Sequence, residues 1–274
     1  RITGIRSHFL RGGVGLLRIL TDHKGIEGWS NEITEDMARL LLQPPLRDVL
    51  IGADALEREK LWRQMLHWER FRWLPRGLRG AVDTALWDIG GKALGMPIWR
   101  LLGASRDRVP GYKTQSGTFG QEGDHIDHYL KYALQAKAEG YLGAKDHCYK
   151  GRLFMTRLAK EMRAAVGPEF HLMHDAVQTY DVSDAIKVGR VLEKYEYQWL
   201  EEPIRDQDYL GLKQVAEALD IRVIAGEYFP FELHAYSQLL AIAQVDGIKP
   251  SDPVSGGITD LVKLARLAEC FGKQ

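Results

Sequence analysis

Three acidic residues stand at equal intervals in the second half of this 274-residue chain. Asp175, Glu201 and Glu227 each end a short apolar run, and twenty-six residues separate each acid from the next. A strand–helix unit of a parallel sheet takes up about 30 residues or somewhat fewer. The spacing therefore predicts one carboxylate at the carboxyl end of each of three consecutive parallel strands.

Three carboxylates at one edge of a sheet could bind a metal ion. They would repel one another unless a hard divalent cation lay among them, and Mg²⁺ is the usual one. The carboxyl edge of a barrel sheet is also where barrel enzymes keep their catalytic groups. Three unrelated acids at strand ends are the alternative, which the equal spacing and the shared strand context disfavour.

A lysine and a histidine, Lys145 and His147, end the preceding predicted strand. Residues two apart in a strand point the same way, so both side chains can face the same edge as the acids. Lysine offers a cation for a carboxylate or, when desolvated, a base, and the pKa of histidine suits proton abstraction. A solvated, charged strand end is the alternative. The pair lies thirty residues before Asp175, one unit earlier, which favours a functional role.

The elements that must position these residues alternate from residue 109 onward. Strand-like segments at 109–116, 141–148, 170–175, 197–200, 222–225 and 247–249 precede helical patterns at 124–139, 153–166, 183–194, 209–219, 231–243 and 258–270. Six such units predict an α/β fold, a parallel sheet with helical crossovers. A complete (β/α)₈ barrel needs two more units, so we expect the last barrel units to be absent from this sequence. Ser183 is the predicted N-cap of its helix.

The first 107 residues have a different pattern. Three strand-like segments precede helical patterns at 34–42, 53–67 and 78–94, and Gly95 and Pro97 mark the end of the last helix. We predict an α+β domain at 1–107 and a catalytic barrel domain at 108–274. The junction at residues 8–13 is abrupt, and we expect a loop to be absent there.

Composition excludes several classes of protein. Acidic and basic residues balance at 37 each, which gives no sign of a nucleic-acid partner. Apolar runs stay well below the roughly 18 residues of a membrane span, and no secretion signal opens the chain. Cys148 and Cys270 are too few for a disulfide framework, which favours a reducing cytoplasm.

Three motifs resemble those of the enolase superfamily, in its mandelate racemase and muconate lactonizing enzyme branch. They are AVDTALWDIGGK at 81–92, WLEEP at 199–203 and GGIT at 256–259, in the family's order and spacing. The resemblance covers essentially the whole chain. It implies a capping domain over a modified TIM barrel, one Mg²⁺, a symmetric homo-oligomer and abstraction of the proton α to a substrate carboxylate.

The resemblance also implies residue roles. Asp175, Glu201 and Glu227 would be the metal ligands. Lys145 would contact the substrate carboxylate, and His147 would be the base where many family members carry a second lysine. The chemistry agrees, because such a proton is removed at neutral pH only when positive charge stabilises the enediolate.

The chain departs from the family pattern at three places. The Asp that often follows the sixth strand falls on Ser251, with Asp252 one residue later. The His that would partner it on a seventh strand is not in the sequence. Val177 stands where an Asn often follows the first metal ligand by two.

These departures favour dehydration of a sugar acid to a 2-keto-3-deoxy acid. Racemisation or epimerisation of a hydroxy acid or amino acid derivative needs bases on both faces and is the runner-up. A non-catalytic member that keeps the metal site is a third interpretation, and a metal-free glycosidase pair is a distant fourth.

Overall fold

The computed structural model describes residues 1–11, 13–31, 33–72, 74–75, 77–115, 125–227, 233–251 and 256–274. The chain divides into two compact units. The first contains Arg1–Asp107 and Pro250–Arg266, and the second contains Arg108–Lys249 and Leu267–Gln274. The first unit thus holds residues 250–266 in addition to those of the predicted 1–107 domain. The assignment of 1–107 and 108–274 to a capping and a catalytic domain stays a prediction.

The described part of the first unit contains an antiparallel sheet and a set of helices. The strands are β1 (Ile2–Phe9), β2 (Gly15–Thr21) and β3 (Glu27–Asn31), in the order β1-β2-β3. The helices are α1 (Glu35–Leu41), α2 (Leu46–Leu50), α3 (Arg58–Arg72), α4 (Leu78–Leu94) and α5 (Ile98–Leu101). The short helices α2 and α5 were not predicted, because one turn is too short to show a helical period.

The core of this unit lies between the sheet and α4. Leu17 and Ile19 alternate along β2 and are fully buried, as are Val82 and Ala85 on α4. A Cβ atom at Gly28 would lie 1.9 Å from the carbonyl oxygen of Ala85. Glycine at this position therefore allows the backbones of β3 and α4 to approach closely.

The motif at residues 256–259 is held by α4 within the same unit. Asp83, which is 2% exposed, accepts hydrogen bonds from the Thr259 backbone N (2.8 Å) and Oγ1 (2.6 Å) at the start of α11 (Ile258–Cys270). A Cβ atom at Gly257 would lie 2.6 Å from Asp83 Oδ2. The motifs at 81–92 and 256–259, which are far apart in the sequence, therefore contact each other directly.

Asp83 gives the protein a testable pH dependence. Burial, only partly offset by the Thr259 hydrogen bonds, raises the pKa of Asp83 from 3.8 to about 6. The folded state then binds more protons than the unfolded state between these values. The protonated carboxyl of Asp83 contributes its full stabilisation of the folded state below pH 3.8, and this stabilisation is lost as the pH rises through about 6.

We expect the unfolding free energy of the wild type, relative to that of the Asp83→Asn variant, to fall by on the order of 2 kcal/mol across this window. Urea unfolding of both proteins between pH 4 and 7 measures the difference. Parallel pH profiles for the two proteins would contradict the prediction.

The described part of the second unit contains six parallel strands that follow one another in sequence order. They are β4 (Lys113–Thr114), β5 (Gly143–Asp146), β6 (His171–Asp175), β7 (Trp199–Glu201), β8 (Arg222–Ala225) and β9 (Gly247–Ile248). The helices after the first five strands are α6 (Ile126–Ala138), α7 (Arg152–Val166), α8 (Val182–Lys194), α9 (Tyr209–Ala218) and α10 (Leu233–Ala241). After β9 the chain continues into α11, of which residues 258–266 belong to the first unit. The predicted α/β fold with six strand–helix units is confirmed.

Several boundaries differ from the predictions: α3 begins five residues later than the predicted start at 53, and β5 is shorter than the predicted 141–148. Within the described residues, β4 covers two residues rather than 109–116, and residue 116 lies outside them. The predicted N-cap Ser183 is wrong, because the side chain of Asp181 caps α8 by accepting from the Asp184 backbone N at 2.7 Å. Both residue types cap helices well, so the sequence did not distinguish them.

Candidate active site

The three spaced acids converge at the carboxyl ends of neighbouring strands. Asp175 and Glu201 end β6 and β7 and are paired in register, and Glu227 follows β8 by two residues. One carboxylate oxygen from each residue lies within 4.8 Å of the others. We call these three residues the acid cluster. Asp175 and Glu201 are fully buried, which places their charges away from water.

Lys145 enters the acid cluster from β5. Its Nζ lies 2.8 Å from Asp175 Oδ2 and 2.7 Å from Glu201 Oε1, and the side chain is 2% exposed. Burial opposes the charge, but the negative charges of Glu201 and Asp175 outweigh it and raise the pKa of Lys145. This residue is therefore a buried ammonium ion.

His147 lies on the same face, as the strand alternation predicts. Its Nε2 is 3.1 Å from Asp175 Oδ2, and its Nδ1 contacts the backbone carbonyl oxygen of Gln115. Only an N–H can pair with a carbonyl oxygen, so Nδ1 carries a hydrogen and Nε2 faces the acid cluster. Burial lowers the pKa of His147, but the hydrogen bond and the charge of Asp175 outweigh burial and raise it.

A second lysine, Lys249, completes the cluster and was missed from the sequence. Its Nζ lies 3.0 Å from Glu201 Oε1 and 2.8 Å from Glu227 Oε2. Burial opposes its charge, but Glu201 and Glu227 raise the pKa of Lys249 well above its usual value. The available signal was its position directly after β9, which matches the strand-end positions of the acids.

The acid cluster suits a hard divalent cation. Its donors are carboxylate oxygens, which Mg²⁺ prefers, and they come from three separate strand ends that converge. Among the described residues the ammonium groups of Lys145 and Lys249 also contact these oxygens. The residues present therefore fit the Mg²⁺ that the sequence predicts, and their roles as ligands stay a prediction.

A buried pair of carboxyl groups supports the backbone at Glu227. Glu202 Oε1 accepts from the Glu227 backbone N at 2.9 Å, and Asp206 Oδ1 accepts from the Gly226 backbone N at 3.2 Å. Burial and the negative charge of Glu202 raise the pKa of Asp206 to about 8. Gly226 has a φ of 103°, a conformation that favours glycine. The pair thus fixes the turn that carries Glu227.

The opposite face of β5 and β6 carries a buried hydrogen-bonded chain. His174 Nδ1 lies 2.7 Å from Asp146 Oδ1, and His174 Nε2 lies 3.0 Å from the hydroxyl of Tyr180. Asp146 lies between Lys145 and His147, and His174 precedes Asp175. Since neighbouring strand residues point to opposite faces, this chain helps to keep the functional side chains on the other face.

Replacing His174 by leucine is expected to lower the unfolding free energy by about 2 kcal/mol. The reason is that Asp146, which is buried, loses its hydrogen-bond partner. Chemical denaturation measures the loss. The matched control is His171→Leu, at the exposed start of the same strand, for which we expect less than about 0.5 kcal/mol. Equal losses in the two variants would contradict the prediction.

The family departures have local structural counterparts. The backbone N of Val177 donates to Asp175 Oδ1 at 3.1 Å, with a φ of 45° at Val177. The main chain thus supplies a hydrogen bond to the acid cluster at this position. Ser251 belongs to the first compact unit, and Asp252 lies outside the described residues. A second acid/base near these two residues stays untested.

Comparison with known families identifies both parts of the chain. Residues 130–274 match the family described as enolase C-terminal domain-like. Residues 12–103 match the mandelate racemase / muconate lactonizing enzyme N-terminal domain. The chain belongs to the mandelate racemase and muconate lactonizing enzyme branch of the enolase superfamily. The predicted family is therefore confirmed.

Several members of this branch resemble the chain closely. L-talarate/galactarate dehydratase from Salmonella typhimurium is 32% identical over 84% of this chain and 58% of its own length. D-galactarolactone cycloisomerase from Agrobacterium fabrum is 31% identical over 81% of this chain and 60% of its own length. The crystal structure of D-glucarate dehydratase from Agrobacterium tumefaciens complexed with magnesium matches with a TM-score of 0.90 and 29% identity. That match covers 100% of this chain and 79% of the other.

The chain spans about three fifths of the length of these curated relatives. The match to the dehydratase structure supports the predicted fold, a parallel strand–helix domain with an N-terminal α+β domain, as in other members of the branch.

Proposed function

We propose that this protein catalyses the Mg²⁺-dependent dehydration of a sugar acid to a 2-keto-3-deoxy acid. The observation that carries the proposal is the convergence of Lys145 and His147 on the acid cluster. The dehydratase names of the relatives support the choice of reaction. Asp175, Glu201 and Glu227 would hold the metal ion, which when bound supplies positive charge to the substrate carboxylate.

Lys145 would bind the substrate carboxylate. Its ammonium group is buried and charged, and its three N–H donors exceed its two carboxylate contacts. Negative charge grows on the carboxylate oxygens when the proton on C2 leaves. An ammonium group in a buried site stabilises that charge more than water does.

His147 would remove the proton from C2. The carbonyl oxygen of Gln115 holds the Nδ1–H, so Nε2, the atom that faces the acid cluster, is the nitrogen that gives up its proton when the ring becomes a neutral base. Nε2 takes the C2 proton, and the electrons of the C2–H bond move into the enediolate. Those electrons then form the C2–C3 double bond as the C3–O bond breaks. The same Nε2–H can protonate the departing hydroxyl, so that water leaves and the enol product becomes a 2-keto acid.

Isomerisation is the second candidate. The match to D-galactarolactone cycloisomerase favours it, because that relative is nearly as similar as the dehydratase. Such a reaction also begins with proton transfer at a carbon next to a carbonyl group, but it ends without loss of water. The alternative of a non-catalytic member keeps the metal site and predicts no turnover.

Proton NMR in D₂O, with Mg²⁺ and a panel of sugar acids, tests these functions. Loss of the C2 proton signal together with a new 3-deoxy methylene signal would establish dehydration and identify the substrate. Exchange at C2 or an isomer without the methylene would establish isomerisation instead. Bound Mg²⁺ without any reaction across the panel would favour the non-catalytic interpretation.

We also propose that the protein acts in the cytoplasm as a homo-oligomer on a small carboxylate substrate, with no nucleic-acid or membrane partner. Cys148 and Cys270 form no disulfide, which supports a reducing compartment. Along the described parts of the chain, no helix combines the length and hydrophobicity that crossing a bilayer requires. Light scattering coupled to size-exclusion chromatography measures the oligomeric state.

A further inference from the structure

Lys249 occupies a position that no part of the proposed reaction explains. Its Nζ lies between Glu201 Oε1 (3.0 Å) and Glu227 Oε2 (2.8 Å), two of the proposed metal ligands. Lys145 contacts the same oxygen of Glu201 at 2.7 Å. The other oxygen, Oε2, accepts from Trp199 Nε1 at 2.9 Å. Both oxygens of Glu201 are therefore engaged by protein donors.

The two lysines differ in their freedom to move. The side chain of Lys145 is 2% exposed, whereas that of Lys249 is 32% exposed. Lys249 therefore borders solvent and has a flexible four-carbon stem that can turn its ammonium group away from the acids. Glu227 has no such freedom in its backbone, which Glu202 holds through the hydrogen bond to the Glu227 backbone N.

A cation on the acid cluster and the Lys249 ammonium need the same oxygen atoms. The three carboxylates of the acid cluster carry a formal charge of −3, and the ammonium groups of Lys145 and Lys249 that contact them carry +2. A divalent ion would add two further positive charges at a distance of a few ångströms from Lys249. Repulsion between like charges at such distances is strong in a buried site.

We propose that Lys249 competes with the divalent cation for Glu201 and Glu227 and thereby sets the metal affinity of the site. In the metal-free protein its ammonium group offsets the repulsion between the two acids. When the metal binds, Lys249 releases both oxygens and turns toward solvent. This inference rests on the proposed function, since it takes the acid cluster as the metal site.

Removal of the Lys249 charge should therefore have two opposite effects. The Lys249→Met variant keeps most of the side-chain volume and loses the competing cation, so it should bind a divalent ion about tenfold more tightly, equal to about 1.4 kcal/mol. The same variant should melt at a lower temperature in the absence of metal, because the acids then lack one compensating charge.

Titration with Mn²⁺, with free Mn²⁺ followed by electron paramagnetic resonance, tests the first effect without any substrate. The matched control is Lys113→Met, since Lys113 lies on β4 and pairs with Glu139 rather than with the acid cluster. We expect the control to bind Mn²⁺ within about twofold of the wild type. Equal or weaker binding by Lys249→Met than by the wild type would overturn the proposal.

Thermal melting with EDTA and with saturating Mn²⁺ tests the second effect. Lys249→Met should have a lower melting temperature than the wild type in EDTA. Saturating Mn²⁺ should reduce or reverse this difference in melting temperature. If Lys249→Met does not fold, Lys249→Gln carries the same two expectations. Absence of Mn²⁺ binding in every protein would overturn the metal site itself, whereas equal binding in the wild type and the lysine variants would overturn only the role of Lys249.

Discussion

The Glu201→Gln variant is expected to lose divalent-metal binding and turnover. Glu201 is the central acid of the cluster, and its Oε1 lies within 3.0 Å of the Nζ atoms of both Lys145 and Lys249. An amide keeps the shape of the side chain but supplies no negative charge. Loss of groups that only support metal ligands costs about 10- to 100-fold in affinity, so loss of a ligand charge should cost at least about 100-fold.

Mn²⁺ titration and the D₂O NMR assay measure the two effects of Glu201→Gln. The matched control is Glu139→Gln, an exposed carboxylate whose ion pair with Lys113 lies away from the acid cluster. Circular dichroism must show that both variants fold. Asp175→Asn makes the same test at a second acid if Glu201→Gln does not fold. Metal affinity within a fewfold of the wild type in a folded variant would show that the acid cluster is not the metal site.

The His147→Ala variant is expected to lose turnover by roughly 10²- to 10⁴-fold while it still binds metal and substrate. His147 contacts the acid cluster without belonging to it: its Nε2 lies 3.1 Å from Asp175 Oδ2, but the ring is not one of the three proposed metal ligands. Loss of the ring therefore removes the proton acceptor and leaves the acid cluster in place. Single-turnover exchange of the C2 proton in D₂O measures the chemical step directly.

His171→Ala is the control for His147→Ala, because His171 begins the neighbouring strand β6 and is exposed. Retained C2 exchange in His147→Ala would assign the proton transfer to another group. Loss of both exchange and Mn²⁺ binding would instead show that His147 helps to form the metal site. Only the combination of lost exchange with retained binding supports a role as base.

Burial of so many charges at the strand ends is more easily explained by function than by stability. Lys145, Asp175 and Glu201 are almost completely removed from solvent. Desolvation of buried ion pairs commonly cancels most of their attraction, and apolar replacements of such pairs are often as stable or more stable. A site that must bind a cation and an anionic substrate needs these charges. A hydrophobic core built only for stability does not need them.

Local sequence patterns determined the elements and the positions of the main site residues. The helix at 78–94 was predicted with its observed bounds, because its helical period is long and Gly95 gives a clear stop. Twenty-six residues between acids fix their place at strand ends, because each parallel strand–helix unit returns the chain to the same edge of the sheet. Alternation at the end of β5 then places Lys145 and His147, the first residue after that strand, on one face.

Only the tertiary structure showed the partners of these residues. Lys249 contacts acids 22 and 48 positions earlier, Asp206 contacts the backbone of Gly226, and Asp146 contacts His174. No period in the sequence encodes such contacts, because they depend on the register between strands and on the shape of the turns after them. The sequence thus determined which strand ends carry charge, and strand register and turn geometry decided which charges meet.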